Sequence, residues 1–248
     1  MIQLQQLTIT YPDAAQPALL PTSLSFDQGE LVVLLGASGA GKSTLLRAIN
    51  LLNQPSAGEI LVAGERIQNA RALRRHRRNS AMVFQQHQLL PQHTALHNVL
   101  LGRLGYYSSL RSLFPMRDHD KRLALHCLDR VGLLDQALAR VDRLSGGQQQ
   151  RVGIARALAQ QPKVILADEP VASLDPVSAR QVLTLLHDIC KEDGLTAIVS
   201  LHQLDYAKEF AERIVALSAG RVMFDGPLSD LNDPLVSSIY QQTEIKTT

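Results

Sequence analysis

Leu31-Val32-Val33-Leu34-Leu35-Gly36-Ala37-Ser38-Gly39-Ala40-Gly41-Lys42-Ser43-Thr44 decides the fold of this 248-residue chain. Its first five residues are apolar without a break, which suits a strand of a parallel sheet covered on both faces. The next stretch is rich in glycine, and a helical pattern follows from about 43 to 53. A strand, a glycine-rich loop and a helix in that order form the setting that a phosphate-binding loop requires. The glycines let backbone N–H groups approach phosphate oxygens, and the helix N-terminus adds partial positive charge. In this reading Lys42 reaches the β- and γ-phosphates of a nucleotide, and the Ser43 hydroxyl ligates Mg²⁺.

Outward from that stretch, the pattern repeats. Apolar runs recur at Ala81 to Phe84, Val164 to Ala167, Ala197 to Leu201 and Ile214 to Leu217. Helical patterns lie near 146–160, 177–191 and 203–212. The alternation predicts an α/β core. The first part of the chain instead alternates apolar and polar residues at Ile2/Leu4, Leu24/Phe26 and Ile60/Val62. Turn residues bound these stretches at Asp27-Gln28-Gly29, Gly58 and Gly64, so they read as short antiparallel strands with one wet face. Residues from about 86 to 162 contain no strand-like run and read as a helical insertion. There is no internal repeat and no low-complexity linker, and 1–248 reads as a single domain.

Composition narrows the function classes. Apolar residues make up 45% of the chain, which fits a globular protein rather than a disordered one. The net charge of +2 argues against a general nucleic-acid binder and leaves room for a local basic patch. Such a patch is Arg71-Ala72-Leu73-Arg74-Arg75-His76-Arg77-Arg78, which reads as an exposed basic face beside the antiparallel strands. Cys127 and Cys190 form no CxxC pair and read as structural thiols of a reducing compartment. No apolar run approaches the roughly 18 residues a membrane-spanning helix needs. The start lacks the pattern of a signal peptide. If the chain works at a membrane, another chain supplies the span.

Two further stretches carry chemistry. Asp168 and Glu169 end an apolar strand, and adjacent carboxylates there are costly unless a cation or a reaction uses them. Asp168 would hold the Mg²⁺ shell. Glu169 would polarise an attacking water, and a positioned base contributes roughly 10²–10⁴-fold. Leu144-Ser145-Gly146-Gly147-Gln148 opens a helix, with Ser145 placed as its cap and a second N-terminus suited to an anion. His93 and His97 have the i, i+4 spacing of a helical metal pair. No third ligand accompanies them, and they read as a solvated helix face.

Taken together, the loop at 36–44, Leu144–Gln148 and Val164–Glu169 resemble the ATP-binding cassette of ABC proteins, and the resemblance covers nearly the whole chain. It implies a P-loop NTPase fold with a RecA-like parallel-sheet core, an N-terminal antiparallel β subdomain and a helical subdomain at about 86–162. It implies ATP and Mg²⁺ as ligands. Residues Gly36 to Thr44 would cradle the phosphates, and Tyr11 matches the aromatic that stacks on adenine. Gln85, in Val83-Phe84-Gln85-Gln86, matches the glutamine that joins Ser43 and Asp168 around Mg²⁺ and couples to a transmembrane partner. His202 matches the switch histidine at the γ-phosphate and joins Glu169 and Gln85 as a catalytic residue. Ser173-Leu174-Asp175 matches the D-loop, although the chain reads Ala172-Ser173-Leu174-Asp175 where many cassettes read SALD. In that family Leu144–Gln148 is the signature that contacts ATP held by the opposite subunit. Two copies therefore close head-to-tail over two nucleotides.

The family divides into transporter ATPases, soluble DNA-repair or chromosome ATPases, and translation factors. The DNA class separates its two phosphate motifs by a long coiled coil, whereas Lys42 and Ser145 lie only 103 positions apart. The translation class carries two cassettes per chain and this chain has one. Both departures favour a bacterial importer subunit. It would sit on the cytoplasmic face of the inner membrane, with two separate permease subunits, a solute-binding protein acting through them, and no nucleic acid. Within the importers the chain looks most like the phosphonate branch. The resemblance rests on Gly102-Arg103-Leu104-Gly105 with the Tyr106–Phe114 insertion, on Ile165 to Pro176, and on Ser200 to Ala207. Phosphite, another phosphorus oxyanion and a polar amino acid stay open as the solute.

Overall fold

The computed structural model describes residues 1–12, 14–85, 88–108 and 115–241. Among the described residues ten strands run in chain order: β1 (Ile2–Ile9), β2 (Leu19–Phe26), β3 (Leu31–Leu35), β4 (Ala57–Val62), β5 (Glu65–Arg66), β6 (Ser80–Val83), β7 (Val164–Asp168), β8 (Thr196–Leu201), β9 (Arg213–Ser218) and β10 (Arg221–Pro227). Between and after them lie α1 (Lys42–Ile49), α2 (Ala70–Asn79), α3 (Ala95–Leu100), α4 (Asp118–Arg130), α5 (Gly146–Ala159), α6 (Pro176–Asp193), α7 (Leu204–Phe210) and α8 (Asp233–Gln241).

The central sheet has the order β10-β9-β3-β8-β7-β6. Its strands are parallel except β10, which pairs antiparallel with β9. Alternate side chains of these strands enter two separate cores. Leu31, Val33 and Leu35 join Ile165, Ala167, Ala197, Val199, Ile214 and Ala216 on one face. Val32, Leu34, Leu166, Ile198, Val215 and Leu217 point the other way. Both faces are therefore dry, which is why the sequence shows unbroken apolar runs rather than alternation.

The second sheet, of order β2-β1-β4-β5, is antiparallel and packs over the second face. Helix α1 lies between the sheets, with Leu45, Leu46, Ala48 and Ile49 buried. The first face is covered by α3–α6 together with residues of α7 and α8. Among the described residues between 88 and 162 there is no named strand, only an isolated bridge between Thr94 and Arg140.

Helix ends follow their local chemistry. Helix α5 starts with a capping box in which Ser145 and Gln148 bond each other's backbone N–H groups. Helix α6 starts with Asp175 as cap and Pro176 in its first turn, and stops at Gly194, whose φ of 61° is left-handed. Among the described residues no helix is long and apolar enough to cross a membrane. Both cysteines are buried and unpaired. Burial pushes their thiols up to about 11 at Cys127 and about 12 at Cys190.

Three sequence readings need correction, and the basic stretch, exposed as expected, gains a helix. Gly58 is not a turn between strands but lies inside β4. A side chain there would come within 2.2 Å of the Gln6 carbonyl, where β1 slips its register and Gln6 takes a φ of 49°. A strand glycine here marks a bulge, as close backbone approach demands. The basic stretch is a regular helix, α2, capped by Asn69, whose side chain accepts the Ala72 N–H at 2.8 Å. His76 is its buried residue and meets the Ile49 carbonyl at 2.8 Å, and burial lowers its pKa. His93 and His97 do not share a helix, because Thr94 caps α3 between them. Their rings stack at 4.3 Å. Finally, the strand read at 81–84 begins one residue earlier and ends at Val83.

Leu34 sits at 0% exposure where the two sheets face each other. Its truncation to alanine is expected to cost about 2–5 kcal/mol, as for other fully buried leucines. Urea unfolding would show this as a lower midpoint with an unchanged slope, and an unchanged midpoint would contradict the packing.

Candidate nucleotide site

The strand order β3-β8-β7 brings the loop after β3 and the carboxylates at the end of β7 to the same edge of the sheet, with β8 between them. The loop can be this tight only because of its glycines. A Cβ at Gly36 would lie 2.3 Å from the Leu217 carbonyl oxygen. Gly41 has a φ of 106° and turns the chain into α1, and a Cβ there would meet the Ala18 carbonyl at 3.0 Å. The result is a cavity of about 290 Å³ lined by Ala18, residues 38 to 44, Gln85 and Glu169.

Lys42 is only 3% exposed. Its Nζ donates to the carbonyls of Gly36 at 2.8 Å and Ala37 at 3.0 Å and lies 3.4 Å from Glu169 Oε1. Burial pulls its pKa below the usual lysine range, and the neighbouring Glu169 and Asp168 oppose that shift.

Asp168 is 4% exposed, so its charge needs donors. Ser43 Oγ donates to Asp168 Oδ1 at 2.7 Å, and Ser200 Oγ donates to the same oxygen at 3.1 Å. Arg47 Nη2 stands 3.7 Å from Oδ2. Glu169 follows with a φ of 45°, a left-handed backbone that costs a non-glycine residue roughly 1–3 kcal/mol. Its N–H is held by Ser200 Oγ at 2.8 Å. From β8, in register with Asp168, Ser200 thus serves the Asp168 carboxylate and the Glu169 backbone N–H together. Its role is not evident from sequence alone. The available signal was a hydroxyl inside an otherwise apolar run, two residues before His202.

The remaining expected residues fall into two groups. Near the cavity, His202 Nδ1 lies 3.9 Å from Glu169 Oε2, and its carbonyl accepts the Tyr240 hydroxyl of α8 at 2.9 Å. Gln85 is exposed on the cavity wall, two residues beyond β6. Tyr11 stands beside α1, its hydroxyl 3.2 Å from Thr44 Oγ1 and accepting from Asn53 at 3.0 Å. Leu144, Ser145, Gly146, Gly147 and Gln148 do not line this cavity. They meet the D-loop instead. A Cβ at Gly146 would lie 3.3 Å from Leu174, and one at Gly147 would lie 3.5 Å from Ser178. Ser173 and Leu174 lead into Asp175, whose Oδ1 accepts the N–H groups of Val177 at 3.1 Å and Ser178 at 3.0 Å. Bonds from Ser178 hold its carboxyl below the usual range. Gln86 and residues 109–114 of the Tyr106–Phe114 insertion lie outside the described residues.

The sequence model of the family described as "ABC transporter" matches residues 19–172. A phosphonates import ATP-binding protein of Nostoc sp. is 58% identical over 245 residues, covering 98% of this chain and 93% of that one. A phosphite import ATP-binding protein of Stutzerimonas stutzeri is 56% identical over 240 residues, covering 97% and 87%. Among solved structures, a dimeric post-hydrolysis ATP-binding cassette bound to ADP and Pi superposes with a TM-score of 0.80 at 37% identity. It covers 92% of this chain and 99% of that one. A cassette from Clostridium perfringens, part of the ABC transporter complex cbiONQ, gives a TM-score of 0.80 at 29% identity and covers 91% and 88%.

Ser200→Ala removes one acceptor and one donor from a fully buried position. Leaving the Glu169 N–H unpaired is expected to cost about 1–3 kcal/mol. ATP turnover should then need more Mg²⁺ for half-maximal rate. Wild-type stability together with a wild-type Mg²⁺ requirement would remove Ser200 from this role.

Proposed function

Because the chain belongs to the ABC transporter family, we propose that it is the ATP-hydrolysing subunit of an importer for phosphonate or a related phosphorus oxyanion such as phosphite. The observation that carries the chemistry is the convergence of the loop and the end of β7. Ser43 and Asp168 are already bonded, and Glu169 stands on the cavity wall. The importer reading draws on near-full-length relatives named for phosphonates and phosphite import.

The oxygen donors Ser43, Asp168 and Gln85 suit Mg²⁺, which favours hard oxygen ligands and keeps several waters. When bound, Mg²⁺ supplies charge neutralisation at the β- and γ-phosphates. The protein does the rest. Gly36, Ala37, Ser38, Gly39, Ala40, Gly41 and Thr44 present backbone and hydroxyl donors to the phosphates. Lys42 exchanges the Gly36 and Ala37 carbonyls for phosphate oxygens. Glu169, aimed by its strained backbone, takes the proton of the attacking water. His202, next to Glu169, steadies the γ-phosphate end, and Tyr11 receives the adenine.

No signature residue lines the cavity of its own chain. A second copy, arranged head-to-tail, would bring its Ser145, Gly146 and Gly147 to the γ-phosphate, with Ser173, Leu174 and Asp175 crossing between the two sites. Permease subunits would dock in a cleft of about 570 Å³ that Phe84 and Gln88 line on either side of Gln85. Leu101, Gly102 and Arg156 also line it, together with Leu73, Arg74, Arg77 and Arg78 of α2. Gln85 would then stand between the nucleotide and the transmembrane partner. The chain would then be peripheral on the cytoplasmic face of the inner membrane, and solute would reach it only through a binding protein and two permease subunits.

Glu169→Gln keeps the side-chain shape and loses the base. It is expected to bind ATP, to fall at least ~10²-fold in turnover, and to double its mass in light scattering with ATP and Mg²⁺. A strictly monomeric variant or near-normal turnover would refute the assigned role. A strain lacking the chain should fail to grow on a phosphonate as sole phosphorus source while growing on phosphate, and Glu169→Gln should not rescue it. Normal growth on phosphonates with lost uptake of another solute would displace the solute assignment alone.

A further inference from the structure

Helix α2 carries five arginines in ten residues and no acidic residue. Among the described residues none of the five takes part in an ion pair within 4.0 Å, although fourteen such pairs occur elsewhere. Arg71, Arg74, Arg75 and Arg78 stand at i, i+3, i+4 and i+7, so they share one face of the helix. Like charges at these spacings destabilise a helix. That face lines a cleft of about 880 Å³, roughly three times the nucleotide cavity, and Lys163 at the start of β7 adds a fifth cation to its wall. Among the described residues no carboxylate lines this cleft.

The arginines are not all equally free. Arg74 donates to the carbonyls of Gly105 and Tyr107. Arg78 packs over the Tyr106 ring at 4.1 Å. These contacts fix two of the guanidinium groups in the cleft. Arg71 and Arg75 are exposed, and among the described residues neither makes a hydrogen bond or ion pair. The four side chains extend over seven residues of helix, about 10 Å at 1.5 Å per residue. Five cations in one cleft exceed the charge of a single tetrahedral oxyanion. A chain of two or more phosphoryl groups balances them, and planar guanidinium forks suit phosphate oxygens in pairs.

We propose that Arg71, Arg74, Arg75 and Arg78, with Lys163, form a second anion site for a ligand bearing two or more phosphate groups. It shares no lining residue with the P-loop cavity and adjoins the cleft proposed for a permease, which Arg74 and Arg78 also line. Free polyphosphate and the headgroups of an anionic phospholipid present the same chemistry.

Calorimetry with sodium tripolyphosphate, on full-length protein held saturated with ADP and Mg²⁺ so that the P-loop is occupied, measures the soluble arm. Flotation with vesicles of cardiolipin in phosphatidylcholine, against phosphatidylcholine alone, measures the lipid arm. Wild type should bind in at least one arm, more weakly as salt is raised. Arg71→Ala/Arg75→Ala should weaken that binding by roughly 10- to 100-fold, the loss expected for charge-assisted hydrogen bonds. Arg71→Lys/Arg75→Lys should retain an intermediate affinity, and ATP turnover of both variants should match wild type. Binding in the soluble arm alone assigns the site to a free polyanion, and binding in the lipid arm assigns it to headgroups. No binding in either arm, or equal binding by wild type and the double alanine variant, overturns the proposal.

Discussion

One carboxylate oxygen holds the site together. Asp168 Oδ1 accepts hydroxyl groups from α1, through Ser43, and from β8, through Ser200. Both donors come from elements locked into the sheet or against it, so the oxygen ties the phosphate loop to two neighbouring strands. The arrangement solves an electrostatic problem first, because a buried carboxylate without donors would be costly. It solves a conformational one as well. Ser200, fixed by the same oxygen, takes the N–H of Glu169 and holds that residue's left-handed backbone. Remove the buried charge and the reason for the strained neighbour goes with it.

A second tie links the basic helix to the helices on the first face of the sheet. Tyr106 is packed between the guanidinium groups of Arg78, at 4.1 Å, and Arg103, at 3.9 Å. Arg103 is itself buried and paired with Asp120 at 2.8 Å, and Asp120 also accepts the Tyr107 hydroxyl. Breaking one partner of such a buried pair costs about 3–5 kcal/mol, because the other charge is left uncompensated. Gly102 lets α3 and its following turn approach α5 closely, since a Cβ there would come within 2.3 Å of the Arg156 carbonyl. The cleft proposed for a permease is bounded by this joint, so force applied in it would meet a stiff wall.

The parallel sheet was legible because both of its faces are dry and its runs are continuous. The nucleotide loop was legible because three constraints coincide in one stretch: a buried strand, glycine backbone and a helix start. What sequence hid shares a different cause. Helix α2 has little apolar periodicity, since its buried position is taken by His76 rather than an aliphatic residue. Gly58 looked like punctuation because a bulge and a turn both use glycine, and only the approach of Gln6 distinguishes them. Ser200 was invisible because its importance lies in register across strands, which no local pattern records. The physical separation of the signature from the nearby cavity likewise depends on topology rather than on residue type.

The two thiols have a practical corollary. Cys127 and Cys190 are at most 3% exposed and are pushed well above neutral pH, so neither supplies much thiolate to a reagent. The unaltered chain is in effect a silent background for thiol-directed labelling. A single cysteine introduced on each side of the cavity could carry a spectroscopic probe without first stripping the native sulfurs from the core. Opening and closing of two copies could then be followed as a distance rather than inferred from turnover.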